Sequence, residues 1–226
     1  MTADVPPVVL VHGLATSAER TWVETGFTEL LADEGRRVSL VDLPGHGASP
    51  LLASGEWDRL DDWLSAQLPD GPIDAVGFSM GARLLLTLAG SEPSRFRRLV
   101  VAGVGANLFH SQDRSPLSAS LEAGEDPEDN PILRHFHELT RASGTEPAAV
   151  QAILDARLRP LEPLMGSITA EVLVVLGETD FVGPADPLVE RLPAGSRLET
   201  LGGVDHFATP KSIGFIDASL RFLNRP

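Results

Sequence analysis

The chain has 226 residues, 42% hydrophobic and 22% charged, with a formal net charge of −14; this is enough apolar material for one domain with a substantial core. The acidic excess opposes nucleic acid and anionic membrane surfaces as partners, and the absence of cysteine excludes disulfides, thiol catalysis and thiolate-held metals. Met1–Pro7 has no basic region and no apolar core of a leader, and no stretch reaches membrane-span length, so a cytoplasmic location is expected.

Short β-branched runs bounded by turn residues predict strands at Val8–Val11, Val38–Asp42, Ile73–Phe78, Leu99–Ala102 and Val172–Leu176, with a weaker one at Arg197–Leu201. Between them, apolar residues recur at helical spacing in Phe27–Glu34, Trp57–Gln67, Gly81–Ala89, Ala185–Arg191 and Ser212–Leu223. Alternation of this kind predicts an α/β fold, a doubly wound and mostly parallel sheet with helices on both faces. The alternation lapses over about 107–168. There, Ser111 to Pro131 reads as a flexible acidic connection, and Pro131–Arg141 and Pro147–Arg157 read as two helices opened by proline. This stretch is expected to form a small cap rather than a second domain.

Gly77-Phe78-Ser79-Met80-Gly81 closes a predicted strand and opens a predicted helix. In so tight a turn, side chains two residues either side of Ser79 would collide, and the helix N-terminus behind it favours developing negative charge. A serine hydroxyl needs a base, and the base needs an orienting acid. Asp180 in LGETD and His206 in GGVDHF each follow a predicted strand, in the order Ser79, Asp180, His206. Glu178 and Asp186 are rivals for the acid, while Asp205 diverges in direction from its neighbour His206. His12-Gly13 follows the first strand, so the amides of Leu14 and Met80 are candidate oxyanion donors.

The remaining histidines carry less. His12 is expected to order the oxyanion loop or pack under it. His135 and His137, two apart on a helix, make a poor metal pair and read with His110 as surface groups, so no metal site is expected. Gly103-Val104-Gly105 lacks the third glycine of a dinucleotide loop.

HGLATSAERTW, DLPGHGAS at Asp42–Ser49, VGFSMGA, LGETD and VDHF together resemble the α/β-hydrolase superfamily nearly end to end. The resemblance implies one α/β-hydrolase domain over 1–226, its sheet trimmed to about six strands because only seven residues precede the first. It implies a structural role for the GHGAS loop and no catalytic role for His46. The expected activity is cofactor-independent hydrolysis of a small-molecule carboxylic ester through an acyl-enzyme on Ser79. Phe181, Val182 and Phe207 are expected to contact substrate. Arg83, one helical turn beyond Ser79, either faces the pocket or packs beside the sheet. GFSMGAR is also similar to the elbow of the menaquinone-pathway lyase, where an arginine at that offset helps bind a dicarboxylate. Carbon–carbon bond hydrolysis or a lyase step is therefore the alternative, and a non-catalytic ligand-binding relic the third reading.

Overall fold

The computed structural model describes residues 5–109, 115–123 and 129–225. His110 and much of the acidic stretch expected to be flexible lie outside these residues. The strands are β1 (Val8–Val11), β2 (Val38–Val41), β3 (Ile73–Phe78), β4 (Phe96–Ala102), β5 (Glu171–Gly177) and β6 (Arg197–Leu201). They form one parallel sheet in the order β2-β1-β3-β4-β5-β6. The chain first moves outward from β1 to β2, then returns to the other side of β1 and continues in that direction. The order reverses between β1 and β3, and a crevice opens there at the carboxyl ends of the strands.

Side-chain alternation along each strand divides the core in two. Val9, Val11, Ala75, Leu99 and Val174 point to one face, covered by α2 (Leu60–Gln67) and α3 (Met80–Ser91). Val8, Leu10, Val76, Val100 and Val175 point to the other, where α1 (Phe27–Asp33) and α8 (Ile213–Leu223) pack. Trp22, Phe27 and Phe215 meet on that second face with ring centroids 5.7–6.0 Å apart. Helices on both faces explain why the inner strands read as continuous apolar runs.

Between β4 and β5 the described chain forms α4 (Ser115–Ala123), α5 (Pro131–Ala142) and α6 (Pro147–Asp155). Helix α4 falls within the stretch read from sequence as a flexible connection. SPLSASLEA has a proline at the second helical position, then mostly good helix formers, and Leu117 is buried against the core. Helix α5 starts where its proline predicts, with Asn130 Oδ1 accepting from the N–H groups of Ile132 and Leu133. The expected helix at Ala185–Arg191 shortens to one turn, α7 (Asp186–Val189). Among the described residues no helix is long and apolar enough to cross a membrane.

Far from the crevice, at the amino ends of the strands, Asp74 is fully buried and ion-paired to Arg36 and Arg97. Arg36 also donates to the carbonyls of Pro6 (2.9 Å) and Leu223 (3.1 Å), and Arg98 to those of Leu223 (3.0 Å) and Arg225 (2.7 Å). These charges fasten the first strand and the last helix to the middle of the sheet.

Candidate active site

Ser79 lies between β3 and α3 with φ 52° and ψ −110°, outside the regions a non-glycine residue favours. What holds it there is close packing. A Cβ on Gly77 would lie 2.7 Å from the backbone of Ala82, and one on Gly81 would overlap the carbonyls of Val11 and His12. The Ser79 N–H donates to the Ala102 carbonyl at 2.8 Å, and the Gly81 N–H to the His12 carbonyl at 3.1 Å. The elbow is thus bonded to the ends of both neighbouring strands.

His206 Nε2 lies 3.2 Å from Ser79 Oγ, and His206 Nδ1 lies 3.0 Å from each carboxylate oxygen of Asp180. The Asp180 side chain is fully buried, and its Oδ1 also accepts from the Val182 N–H at 3.1 Å. The imidazole sits between the rings of Phe78 and Phe181, at centroid distances of 4.9 and 4.5 Å. Gly103, at φ 64°, clears the remaining side, since a Cβ there would meet His206 Cε1 at 3.0 Å. The glycine pair after β4, weighed in the sequence only as a dinucleotide loop, therefore makes room for a ring. This arrangement can pass the hydroxyl proton to Nε2 while a carboxylate stabilises the resulting imidazolium.

The rival acids are occupied or displaced. Glu178 accepts from the Gly203 N–H at 2.8 Å and Asp205 from the Ala208 N–H at 2.8 Å, each closing its own turn. Asp186 sits in the first turn of α7.

Two buried histidines build the loop that carries Leu14. His12 Nδ1 donates to the Gly13 carbonyl at 2.6 Å, leaving Nε2 to accept from the Leu43 N–H at 2.9 Å. His46 Nδ1 donates to the Pro44 carbonyl at 2.9 Å, and its Nε2 accepts from the Ala15 N–H at 3.2 Å. Asp42 completes the clasp by accepting from Ala18 (2.7 Å) and Ala48 (3.0 Å). The loop after β2 therefore grips the loop after β1 and fixes the backbone at Leu14. Met80 opens α3, where backbone N–H groups have no intrahelical acceptor.

Burial, and after it the nearby His46, lowers the His12 pKa to about 3, and burial also lowers that of His46. Both folded values lie below the unfolded one near 6.5. The stabilisation is therefore fully present above pH 6.5 and is lost as pH falls through the folded values, by at most about 1.4 kcal/mol per pH unit for each ring. Protonation would turn each accepting nitrogen into a second donor facing an N–H. Urea midpoints should accordingly fall from pH 6.5 to 5, and His12→Gln, whose side-chain oxygen reaches the Nε2 position and accepts without titrating, should reduce that slope. An unchanged slope would show that His12 is not responsible.

Ser79 and His206 border two cavities of unequal size. The larger, about 330 Å³, is walled mainly by apolar groups such as Met80, Val104, Leu117, Leu133 and Phe136. Leu14, Phe181, Val182 and Arg83 line it too. Arg83 is half-buried and also donates to the Arg159 carbonyl at 3.4 Å, so it both faces the cavity and braces the chain beyond α6. The smaller cavity, about 30 Å³, is bordered by Phe207 with Thr16, Arg20, Thr21 and Lys211. Phe207 thus lines a different cavity from the other three expected contact residues, although its ring centroid lies 5.9 Å from that of Phe181. The Phe207 ring packs against His135 of α5 at a centroid distance of 4.0 Å, the two planes tilted by 45°. His137, read from sequence as a surface group, is buried with Nε2 2.8 Å from Ser120 Oγ, because α5 turns that side toward α4. Among the described residues no cluster of three metal-ligating side chains occurs.

Residues 6–126, more than half of the chain, match the family model described as alpha/beta hydrolase fold. Pimeloyl-[acyl-carrier protein] methyl ester esterase from Aromatoleum aromaticum is 30% identical, over 90% of this chain and 85% of the relative. The protein of the same name from Nitrosomonas europaea is 34% identical, over 85% of each chain. Among solved structures, the enol-lactonase from Burkholderia xenovorans superimposes with a TM-score of 0.77 at 19% identity, covering 99% of this chain and 93% of that one. An esterase from Exiguobacterium antarcticum gives 0.76 at 24% identity, over 97% and 92%.

Proposed function

Since the chain belongs to the α/β-hydrolase family, we propose that Ser79, His206 and Asp180 act as its nucleophile, general acid–base and orienting carboxylate. The chain is a carboxylic ester hydrolase. The observation that carries the assignment of roles is the continuous line from Ser79 Oγ through the imidazole to a buried carboxylate, with steps of 3.2 and 3.0 Å. His206 Nε2 takes the hydroxyl proton as Oγ adds to the ester carbonyl, and the Leu14 and Met80 amides receive the oxyanion. The tetrahedral adduct collapses as His206 returns the proton to the departing alcohol. Water activated by the same nitrogen then cleaves the acyl-enzyme, releasing the acid and restoring Ser79. No metal or cofactor enters these steps.

The substrate we infer is an ester of a small alcohol with a medium-length, mainly apolar acyl group. The larger cavity has room for the acyl chain, whereas the smaller one holds little more than a water-sized group beside His206. The relatives' name, methyl ester esterase, agrees with a small leaving alcohol. With the acyl group held constant, enlarging the alcohol from methyl to tert-butyl should lower kcat/KM by at least about tenfold. Lengthening the acyl chain from acetyl to hexanoyl should raise it. The opposite pattern would reverse the assignment of the two cavities.

Arg83 supports the second reading, carbon–carbon cleavage or a lyase step on a dianionic substrate, because its side chain lines the larger cavity. That reading requires Arg83→Ala to abolish turnover of the dianion while sparing neutral esters.

A further inference from the structure

The polar groups of the larger cavity have a pattern that catalysis does not use. The chain carries 32 aspartates and glutamates, yet none of the described residues lining this cavity is one of them. Away from Ser79 and His206, the polar side chains that the described residues bring to its wall are Asn107, Asn130 and Arg83. Both asparagine oxygens are already committed. Asn107 Oδ1 accepts from the Gly105 N–H at 2.9 Å, and Asn130 Oδ1 caps α5 by accepting from Ile132 and Leu133 at 3.1 and 3.2 Å. Because backbone N–H groups fix which amide atom is oxygen, each Nδ2 is left as a donor without an acceptor among the described residues. Arg83 contributes further donors and a positive charge. Among the described residues, the lining side chains away from Ser79 and His206 are therefore apolar groups and donors, and Asn130 is exposed at the rim.

Resting on the esterase reading above, we propose that Asn107 and Asn130 form a subsite for a hydrogen-bond acceptor on the acyl chain, away from the scissile ester. The group recognised is a carboxylate or a carbonyl. A plain alkyl chain would fill the apolar wall but leave the half-buried Asn107 amide unpaired, which penalises it relative to a chain bearing an acceptor; Asn130, exposed at the rim, adds less because water still reaches it. An amine or ammonium at the same place would face only donors and would be rejected.

The test compares monomethyl pimelate, dimethyl pimelate and methyl heptanoate, which share one straight acyl chain and end in a carboxylate, an ester carbonyl and a methyl group. Two variants, Asn107→Asp and Asn130→Asp, keep the oxygen that accepts from the backbone and remove the NH₂ donor. Thermal unfolding verifies that each variant is folded. The quantity read is kcat/KM for each acceptor-bearing ester divided by that for methyl heptanoate.

In the wild type this ratio should exceed one; Asn107→Asp should lower it by at least about tenfold, and the exposed Asn130→Asp by less. A fall for both esters supports the subsite; a fall confined to monomethyl pimelate overturns it, because the carboxylate introduced in each variant repels that anion without any lost hydrogen bond. A wild-type ratio of one or less, or a ratio that neither variant changes, overturns the subsite. Wild-type protein that hydrolyses none of the three esters, nor a p-nitrophenyl ester, instead overturns the esterase reading on which the subsite rests.

Discussion

Ser79→Ala is expected to reduce kcat for p-nitrophenyl butyrate by about 10⁶-fold, close to the limit set by contaminating activity. On the proposed assignment the hydroxyl forms the covalent bond, and no other described residue lining either cavity replaces it, because Thr16 and Thr21, although they border the smaller cavity, bond to each other through their hydroxyls at 3.3 Å. Asp180→Asn should cost about 10⁴-fold by a different route. An amide NH₂ facing Nδ1 would favour the wrong tautomer, so that Nε2 carries the proton and cannot accept one from Ser79. KM should change far less than kcat in both variants, since neither group forms a cavity wall of appreciable area. Stoichiometric labelling of wild-type Ser79 by a fluorophosphonate would accompany this result. Undiminished turnover by Ser79→Ala would end the nucleophile assignment.

The second large effect is on stability and lies at the other end of the sheet. Asp74→Ala is expected to cost about 3–5 kcal/mol, the range for removing one partner of a buried ion pair. The Arg36 side chain is 2% exposed, so its charge would be stranded without a carboxylate, and the half-exposed Arg97 would lose its two bonds to Asp74. The carbonyls of Pro6 and Leu223 would still bind Arg36, but they carry no net charge. A double variant, Asp74→Leu with Arg36→Met, should recover much of the loss by replacing the ions with packed apolar groups. Denaturant midpoints measure both, and a loss below about 1 kcal/mol for Asp74→Ala would mean that water reaches the cluster. Turnover per folded molecule should be unchanged, because Asp74 lies at the amino end of β3 and Ser79 beyond its carboxyl end.

Asp74 also shows where the sequence was legible and where it was not. The run IDAVGF reads as a buried strand despite its aspartate, and it is one. Nothing local identified Arg36 and Arg97 as the partners, because they arrive from another loop and another strand. The sequence pointed to Asp180 as the acid but left Glu178 and Asp186 as rivals. Asp180, Glu178 and Asp186 all follow β5, and their chemistry is alike. The backbone path beyond β5 decided which carboxylate faces the imidazole, sending Glu178 to the Gly203 amide and Asp180 to His206.

Sequence by itself determined the alternation of strands and helices, because burial on both faces of a parallel sheet imposes a local apolar pattern. It also determined the position of the elbow, because a turn that tight admits glycine on either side of Ser79 and little else. Tertiary structure alone decided that His12 and His46 are neutral staples, that Phe207 borders a different cavity from Phe181, and that the amides of Asn107 and Asn130 are left as donors. Each of these depends on which way a side chain points once distant segments have packed together, and that direction is set by neighbours the local sequence does not contain.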